Sequence, residues 1–330
     1  MAQTTITKES GIGLMEGVTD HLDRAAVSAR AEREPEWLRA RRLEAWEIYE
    51  RTPMPTTELE EWRYTDLSRK LKLDALVPVA GQVRTVERSD FPDAVHKAME
   101  EDWDASGHLV ELDGSVGHTD LVDELAEKGV VLTSLRDAVD EDPDLLREHL
   151  ATEAVPAAEG KFPALNAALW TDGVFLHVPR GVRLELPVRV TRWLGGAGVA
   201  SFSRVLIVAE PGSQVSYVDE ILSPDLERQS LASSAVEVIA RQGAQVQYVS
   251  VQRMGRGAFY QSVQRTLADR DSTLDTLNVS LGASVTRVDL NARLLGPGAN
   301  SDMLGLYFGD GDQHFDHNTS QDHVAPNTFS

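Results

Sequence analysis

Cysteine is absent from all 330 residues. That excludes disulfides, a thiol nucleophile, and cysteine ligation of zinc or an iron–sulfur centre by this stretch of chain. Lysine is scarce as well, with Lys8, Lys70, Lys72, Lys97, Lys128 and Lys161 the complete set and none beyond residue 161. Basic clustering does not exceed Arg39, Arg41 and Arg42, while 53 acidic residues against 32 basic ones leave a net charge of −21. Such a field repels nucleic acid and anionic membrane surfaces. Few lysines among many acids suits a halophile-like protein kept soluble in a salty cytoplasm, where salt screens self-repulsion. No apolar run approaches the roughly 18 residues of a membrane span. Residues 1–17 lack the basic start and apolar centre of a signal peptide, so a soluble cytoplasmic protein is expected.

What is present is ordinary globular composition, 42% apolar and 26% charged, in a chain long enough for two domains. Residues 1–18 read as a flexible arm. A helix is expected from about Asp20 to Arg51, its core stripe drawn through Trp37, Ala40, Leu43, Trp46 and Tyr49, with Leu38 and Ile48 widening it. Thr52-Pro53-Met54-Pro55 ends it. Short elements follow: a helix over Pro92–Asp104, a strand over His108–Leu112 stopped by Asp113-Gly114, and a helix over Leu121–Lys128 stopped by Gly129. A strand at Val130–Leu132 precedes a helix capped by Ser134 and another opened by Asp142-Pro143. Residues 19–160 thus form a mixed α/β or mostly helical domain.

Beyond Lys161 helical periodicity gives way to short strands. Phe175–Val178, Arg183–Leu186, Val205–Val208 and Val236–Ile239 are apolar and β-branched, with turn signals between them. The turns recur. Gly181, Gly212, Gly243, Asp271 and Gly298 occupy equivalent places at spacings of 31, 31, 28 and 27 residues. Propeller blades usually need about 40 residues, so this period fits one or two strand-turn rungs of a β-helix better. Glycine suits a tight corner because it adopts positive φ without a Cβ clash, and Asp tolerates that region better than most residues. A sandwich of regular hairpins is the alternative; register held over four intervals favours the solenoid.

Chemistry-bearing motifs are few. There is no Walker-type phosphate loop and no G-x-S-x-G elbow, and Gly11-Ile12-Gly13 does not continue into a dinucleotide fingerprint. Catalytic carboxylates cannot be singled out among 53 acids. The dense polar cluster is Gln313–His323, with His314, Asp316, His317 and His323 the candidate metal ligands. On a strand His314 and Asp316 share one face, and Phe315 and His317 the other. Imidazole with carboxylate suits Zn, Fe or Mn. The competing reading is structural, with these side chains hydrogen-bonding a solenoid corner or a packed interface. β-Helices also host polysaccharide lyases and hydrolases, although only Arg could supply a cationic base after residue 161.

Three segments resemble one family. His314-Phe315-Asp316-His317-Asn318-Thr319-Ser320-Gln321-Asp322-His323-Val324-Ala325-Pro326-Asn327-Thr328 resembles the signature of the SufB/SufD family of iron–sulfur cluster assembly proteins. Lys161–Phe175 is similar to the segment that leads into that family's β-helix, and Glu61-Trp62-Arg63-Tyr64-Thr65-Asp66-Leu67 resembles the N-terminal motif of the SufD branch. The resemblance spans about Glu34 to Ser330. It implies an α+β N-terminal domain followed by an all-β right-handed parallel β-helix over residues 161–330. It further implies a non-catalytic SufD-like subunit, partnered by a SufB-like subunit and a SufC-like ABC ATPase that supplies ATP hydrolysis. No cofactor is then bound by this chain alone; an Fe–S cluster would sit at an interface with a partner. Family members continue past the signature into further β-helix, a Cys/His motif and a helical tail, so a C-terminally truncated fragment with an unfinished solenoid is expected. In that light the signature reads mainly as structural. A SufB-like scaffold and a polysaccharide-active β-helix enzyme are the alternatives.

Overall fold

The computed structural model describes residues 21–81, 86–100 and 104–330. The expected arm at 1–18 lies outside them, as do residues 101–103 of the helix expected over Pro92–Asp104. The helices are α1 (Arg24–Ala31), α2 (Glu36–Arg51), α3 (Leu67–Lys70), α4 (Asp93–Glu100), α5 (Asp123–Glu127), α6 (Leu135–Glu141), α7 (Pro143–His149) and α8 (Lys161–Leu169). In chain order the strands are β1 (Val77–Pro78), β2 (Gly107–Leu112), β3 (Ser115–Leu121), β4 (Val131–Ser134), β5 (Asp172–Val178), β6 (Val188–Trp193), β7 (Val199–Ala209) and β8 (Gln214–Leu222). They continue with β9 (Ser230–Ala240), β10 (Gln245–Arg253), β11 (Ala258–Ala268), β12 (Thr273–Ser280), β13 (Val285–Leu294), β14 (Met303–Tyr307) and β15 (His314–His323).

From β5 onward consecutive strands alternate between two sheets, and each pairs in parallel with the strand two places on. One sheet is ordered β15-β13-β11-β9-β7-β5-β4, the other β14-β12-β10-β8-β6-β2-β3. This is a parallel β-solenoid whose repeat holds two strands, one in each sheet. The N-terminal region joins both sheets: β4 lies antiparallel on β5, while the β2–β3 hairpin adds β2 in parallel to β6.

The corners explain the repeat. Gly181, Gly212, Gly243, Asp271 and Gly298 all have φ between 56° and 81°. A Cβ on Gly181, Gly212 or Gly243 would meet nothing within 4 Å, so backbone conformation and not space selects glycine there. Each corner N–H donates to a carbonyl of the next rung: Gly181 to Pro211, Gly212 to Gln242, Gly243 to Arg270, Asp271 to Pro297, and Gly298 to Asn327, at 2.8–3.1 Å. Asn327, at φ 57°, is a sixth corner that the turn count missed because asparagine, not glycine, fills it.

The two sheets differ in what covers them. Outward residues of the first sheet, among them Phe175, Phe202, Leu206, Leu231 and Phe259, pack under α1, α2, α6, α7 and α8 in one apolar cluster. Its central strands are therefore buried on both faces; β7 is buried at every position. The second sheet has more open outer positions, so β10 and β12 alternate buried and open. Its inner face stacks in register, with Tyr217 opposite Tyr248 and their rings 5.6 Å apart.

Several local expectations need correction. The helix expected over 20–51 breaks into α1 and α2, because Pro35, extended at φ −60° and ψ 150°, cannot continue a helix. The buried face of α2 is Leu38, Arg42, Ala45, Trp46 and Ile48, whereas Ala40 is exposed. Arg42 was overlooked because arginine does not count toward an apolar stripe. Its guanidinium takes Glu34 at 2.7 Å and donates to Ala168 O (3.2 Å) and Trp170 O (2.9 Å), satisfying carbonyls at the end of α8. Leu121 belongs to β3, and α5 starts two residues later. Arg183–Leu186 is not a strand; Arg183 makes only an isolated bridge to Gln214.

Candidate functional site

The three segments that carry the family resemblance converge in space. α2 ends at Arg51 with Thr52 as its C-cap, and a proline-bearing stretch leads to a single 3₁₀ turn, Glu60–Trp62. The Trp62 ring stacks on Phe162 of α8, with centroids 5.6 Å apart and planes 17° off parallel. It also lies under the Arg287 guanidinium, 4.5 Å from the carbon to the ring centroid. Arg287 stands in β13 directly opposite Asp316 of β15. Its terminal nitrogen is 2.7 Å from Asp316 Oδ2. No Arg287 nitrogen has an aligned hydrogen-bond acceptor, so that contact is Coulombic and leaves a buried guanidinium short of acceptors.

Thr65 closes the arrangement. Asp66 caps α3 by accepting from the Ser68 N–H at 3.1 Å, which fixes the chain just after Thr65. Thr65 is fully buried. Its hydroxyl donates to Asp316 and lies 3.0 Å from His314 Nε2. One hydroxyl has one proton, so with that proton on Asp316, His314 must donate through Nε2–H. Burial, and Lys70 after it, lowers the His314 pKa; burial also lowers that of His317. Both imidazoles are thereby held neutral at pH 7.

The candidate metal ligands are placed on two faces of β15, as strand alternation requires. His314 and Asp316 face outward onto Thr65. His317 faces the solenoid interior, 3.0 Å from Ser280 Oγ and edge-on to Tyr307 at 5.8 Å. His323 lies at the far end of the strand, with Nδ1 2.7 Å from Thr328 Oγ1 and Nε2 3.1 Å from Ser330 Oγ. Among the described residues no three His, Asp or Glu side chains are grouped to hold a metal ion. What the geometry does provide is registration: Asp316 pairs with Arg287, and Asp322 with Arg293 at 3.6 Å, one strand back. A slip by one residue would break both pairs and send every side chain to the opposite face. Thr65→Val removes the hydroxyl while keeping the shape. It is expected to lower stability by about 1–3 kcal/mol, with urea denaturation as the measurement, and to speed tryptic cleavage at Arg63.

A second polar cluster lies inside the solenoid. Arg192 makes a two-pronged contact to Asp219 (2.8 and 2.5 Å) and donates to Ser234 Oγ at 2.9 Å, while the Tyr248 hydroxyl donates to Asp219 at 2.8 Å. Glu111 lies next to Arg192 in the ladder and accepts from Ser203 Oγ at 2.6 Å. Burial raises the Glu111 pKa from 4.5 to about 7, against the pull of Arg192 and Ser203. Sequence reasoning missed this group because its members come from β2, β6, β7, β8, β9 and β10 and carry no local motif.

The fold is a parallel β-solenoid entered through an α/β domain, with the N-terminal motif pinned to a His/Asp-rich strand. The chain belongs to the SufBD family: residues 22–190 match the SufBD protein N-terminal region, and residues 192–330 match the SUF system FeS cluster assembly SufBD core domain. It is 29% identical over 322 residues to iron–sulfur cluster assembly SufBD family proteins of Staphylococcus haemolyticus and Staphylococcus epidermidis. It is 28% identical over 322 residues to one of Staphylococcus aureus. Each match covers 95% of this chain and 67% of the relative. Among the described residues no helix is long and apolar enough to cross a membrane.

Proposed function

We propose that the protein is a SufD-like, non-catalytic subunit of a SufBCD-type complex for iron–sulfur cluster assembly, working in the cytoplasm. The observation that carries this reading is a SufBD solenoid without a single cysteine. A cluster built against these 330 residues must draw its thiolates from outside them, as from a cysteine-bearing partner. The Trp62-Arg63-Tyr64-Thr65 motif supports the SufD branch. A SufB-like subunit would share the cluster at an interface, and a SufC-like ABC ATPase would supply hydrolysis, because no Walker-type loop occurs here. Affinity purification of the tagged protein from its host is expected to recover an ABC-type ATPase and a cysteine-bearing SufB-type chain in fixed ratio. Recovery of neither would refute the subunit reading.

A further inference from the structure

A small cavity of about 30 Å³ lies inside the solenoid, between β2, β6 and β8 of the second sheet and β7, β9 and β11 of the first. That is about the volume one molecule occupies in liquid water. Its polar wall is Glu111, Arg192, Ser201, Ser203, Ser234 and Tyr260, with Ile221 and Met254 among its apolar neighbours. Glu111 and Tyr260 are 3% and 1% exposed. Glu111 accepts from Ser203 through Oε2, which leaves Oε1 for the cavity. The Tyr260 hydroxyl has Ser250 and Ser262 nearby but no aligned hydrogen-bond partner. Two buried groups short of partners thus line one space.

The surrounding charges select a neutral occupant. Arg192 commits Nε and Nη2 to Asp219 and Nη1 to Ser234, and Tyr248 donates to the same Asp219. Asp172 is the other acid whose charge reaches Glu111, and Tyr217 is the other phenol beside it. An anion would meet the Glu111 carboxylate, and a cation would lie against the Arg192 guanidinium. Water suits both forms of Glu111. The protonated carboxyl donates to it, and it donates in turn to Tyr260 or Ser201; the ionised carboxylate accepts from it, and Tyr260 donates to it. Burial places that titration at about 7. We infer that the cavity binds a single water molecule between Glu111 and Tyr260, which keeps Glu111 hydrogen-bonded in either protonation state. This inference does not depend on the role in cluster assembly.

High-resolution diffraction from crystals of the full chain at pH 6 and pH 8 is the first test. One solvent peak is expected at hydrogen-bonding distance, about 2.6–3.2 Å, from both Glu111 and Tyr260 Oη, and at both pH values. Tyr260→Phe is the second test. It keeps the ring and removes a hydroxyl that makes no direct hydrogen bond to Glu111. Because the water links the two, the variant should raise the Glu111 titration midpoint, read by carbon-13 NMR of the glutamate carboxyls, by about 0.4–1 pH unit, the worth of one hydrogen bond to the ionised form. Tyr217→Phe removes another buried hydroxyl without an aligned partner, outside the cavity wall, and should leave the midpoint unchanged. No peak at either pH, a peak at one pH only, a peak with the short many-oxygen contacts of a bound cation, or an unchanged midpoint in folded Tyr260→Phe would each overturn the inference.

Discussion

Glu237→Ala is expected to destabilise the protein by about 3–5 kcal/mol, the usual effect of stranding a buried charge. Glu237 and Arg204 are both fully buried, with Arg204 Nη2 at 2.6 Å from Glu237 Oε1. The pair holds the helical layer to the first sheet. Glu237 accepts from the Ala151 N–H at 3.1 Å and the Val155 N–H at 3.3 Å. Arg204 reaches Asn166 Oδ1 of α8 at 3.1 Å and Val155 O at 3.2 Å. Ala151 sits at φ 55°, a strained value for alanine, and the carboxylate on its N–H helps hold it there. Removing Glu237 alone leaves a guanidinium in an apolar layer. Removing both charges, as in Arg204→Met with Glu237→Leu, should recover much of the loss, because desolvation then disappears with attraction. Urea denaturation at pH 7 measures all three variants. A loss below about 1 kcal/mol for Glu237→Ala would show that the layer is held by apolar packing alone.

Glu111→Gln should act in the opposite direction and depend on pH. Burial raises the folded-state pKa of Glu111 from 4.5 to about 7, so folding favours its protonated form. The stability supplied by that proton is complete below pH 4.5 and is lost as pH rises through 7. At pH 8 the native protein carries a buried carboxylate that costs on the order of 3 kcal/mol, and a glutamine does not. The variant is thus expected to be more stable than the native protein at pH 8 by up to that amount, with the difference vanishing near pH 4.5. The glutamine oxygen can still accept from Ser203 Oγ, so the comparison isolates the charge. Denaturation midpoints from pH 4.5 to 8 report it. A difference that does not change with pH would mean that Glu111 is not titrating inside the solenoid.

How much of this was legible beforehand follows from which patterns are local. The corners were, because a left-handed turn leaves a glycine or aspartate at nearly constant intervals. The strands of the first sheet were, because burial on both faces makes runs such as Val205–Val208 continuously apolar. Strands of the second sheet were harder to see: with outer positions more open, Gln245–Arg253 mixes Gln, Ser and Arg with Val and Tyr. The outward and inward split of His314–Asp316 and Phe315–His317 followed from strand alternation alone. Arg287, Arg204 and Glu237 were not legible. Their importance lies in partners tens to more than a hundred residues away, and nothing near them in sequence sets them apart from other charged residues. Even the resemblance, which quoted Trp62, Thr65, Phe162, His314 and Asp316, could not say that these residues meet.

Anaerobic reconstitution with iron and sulfide, followed by visible absorption and Mössbauer spectroscopy, tests the division of labour most directly. The protein alone should retain no iron–sulfur cluster after desalting, because its 330 residues offer no thiolate. The same protein mixed with a cysteine-bearing SufB-type partner should retain one. A stable cluster on these 330 residues alone would contradict the proposed role as companion of a cysteine-bearing scaffold.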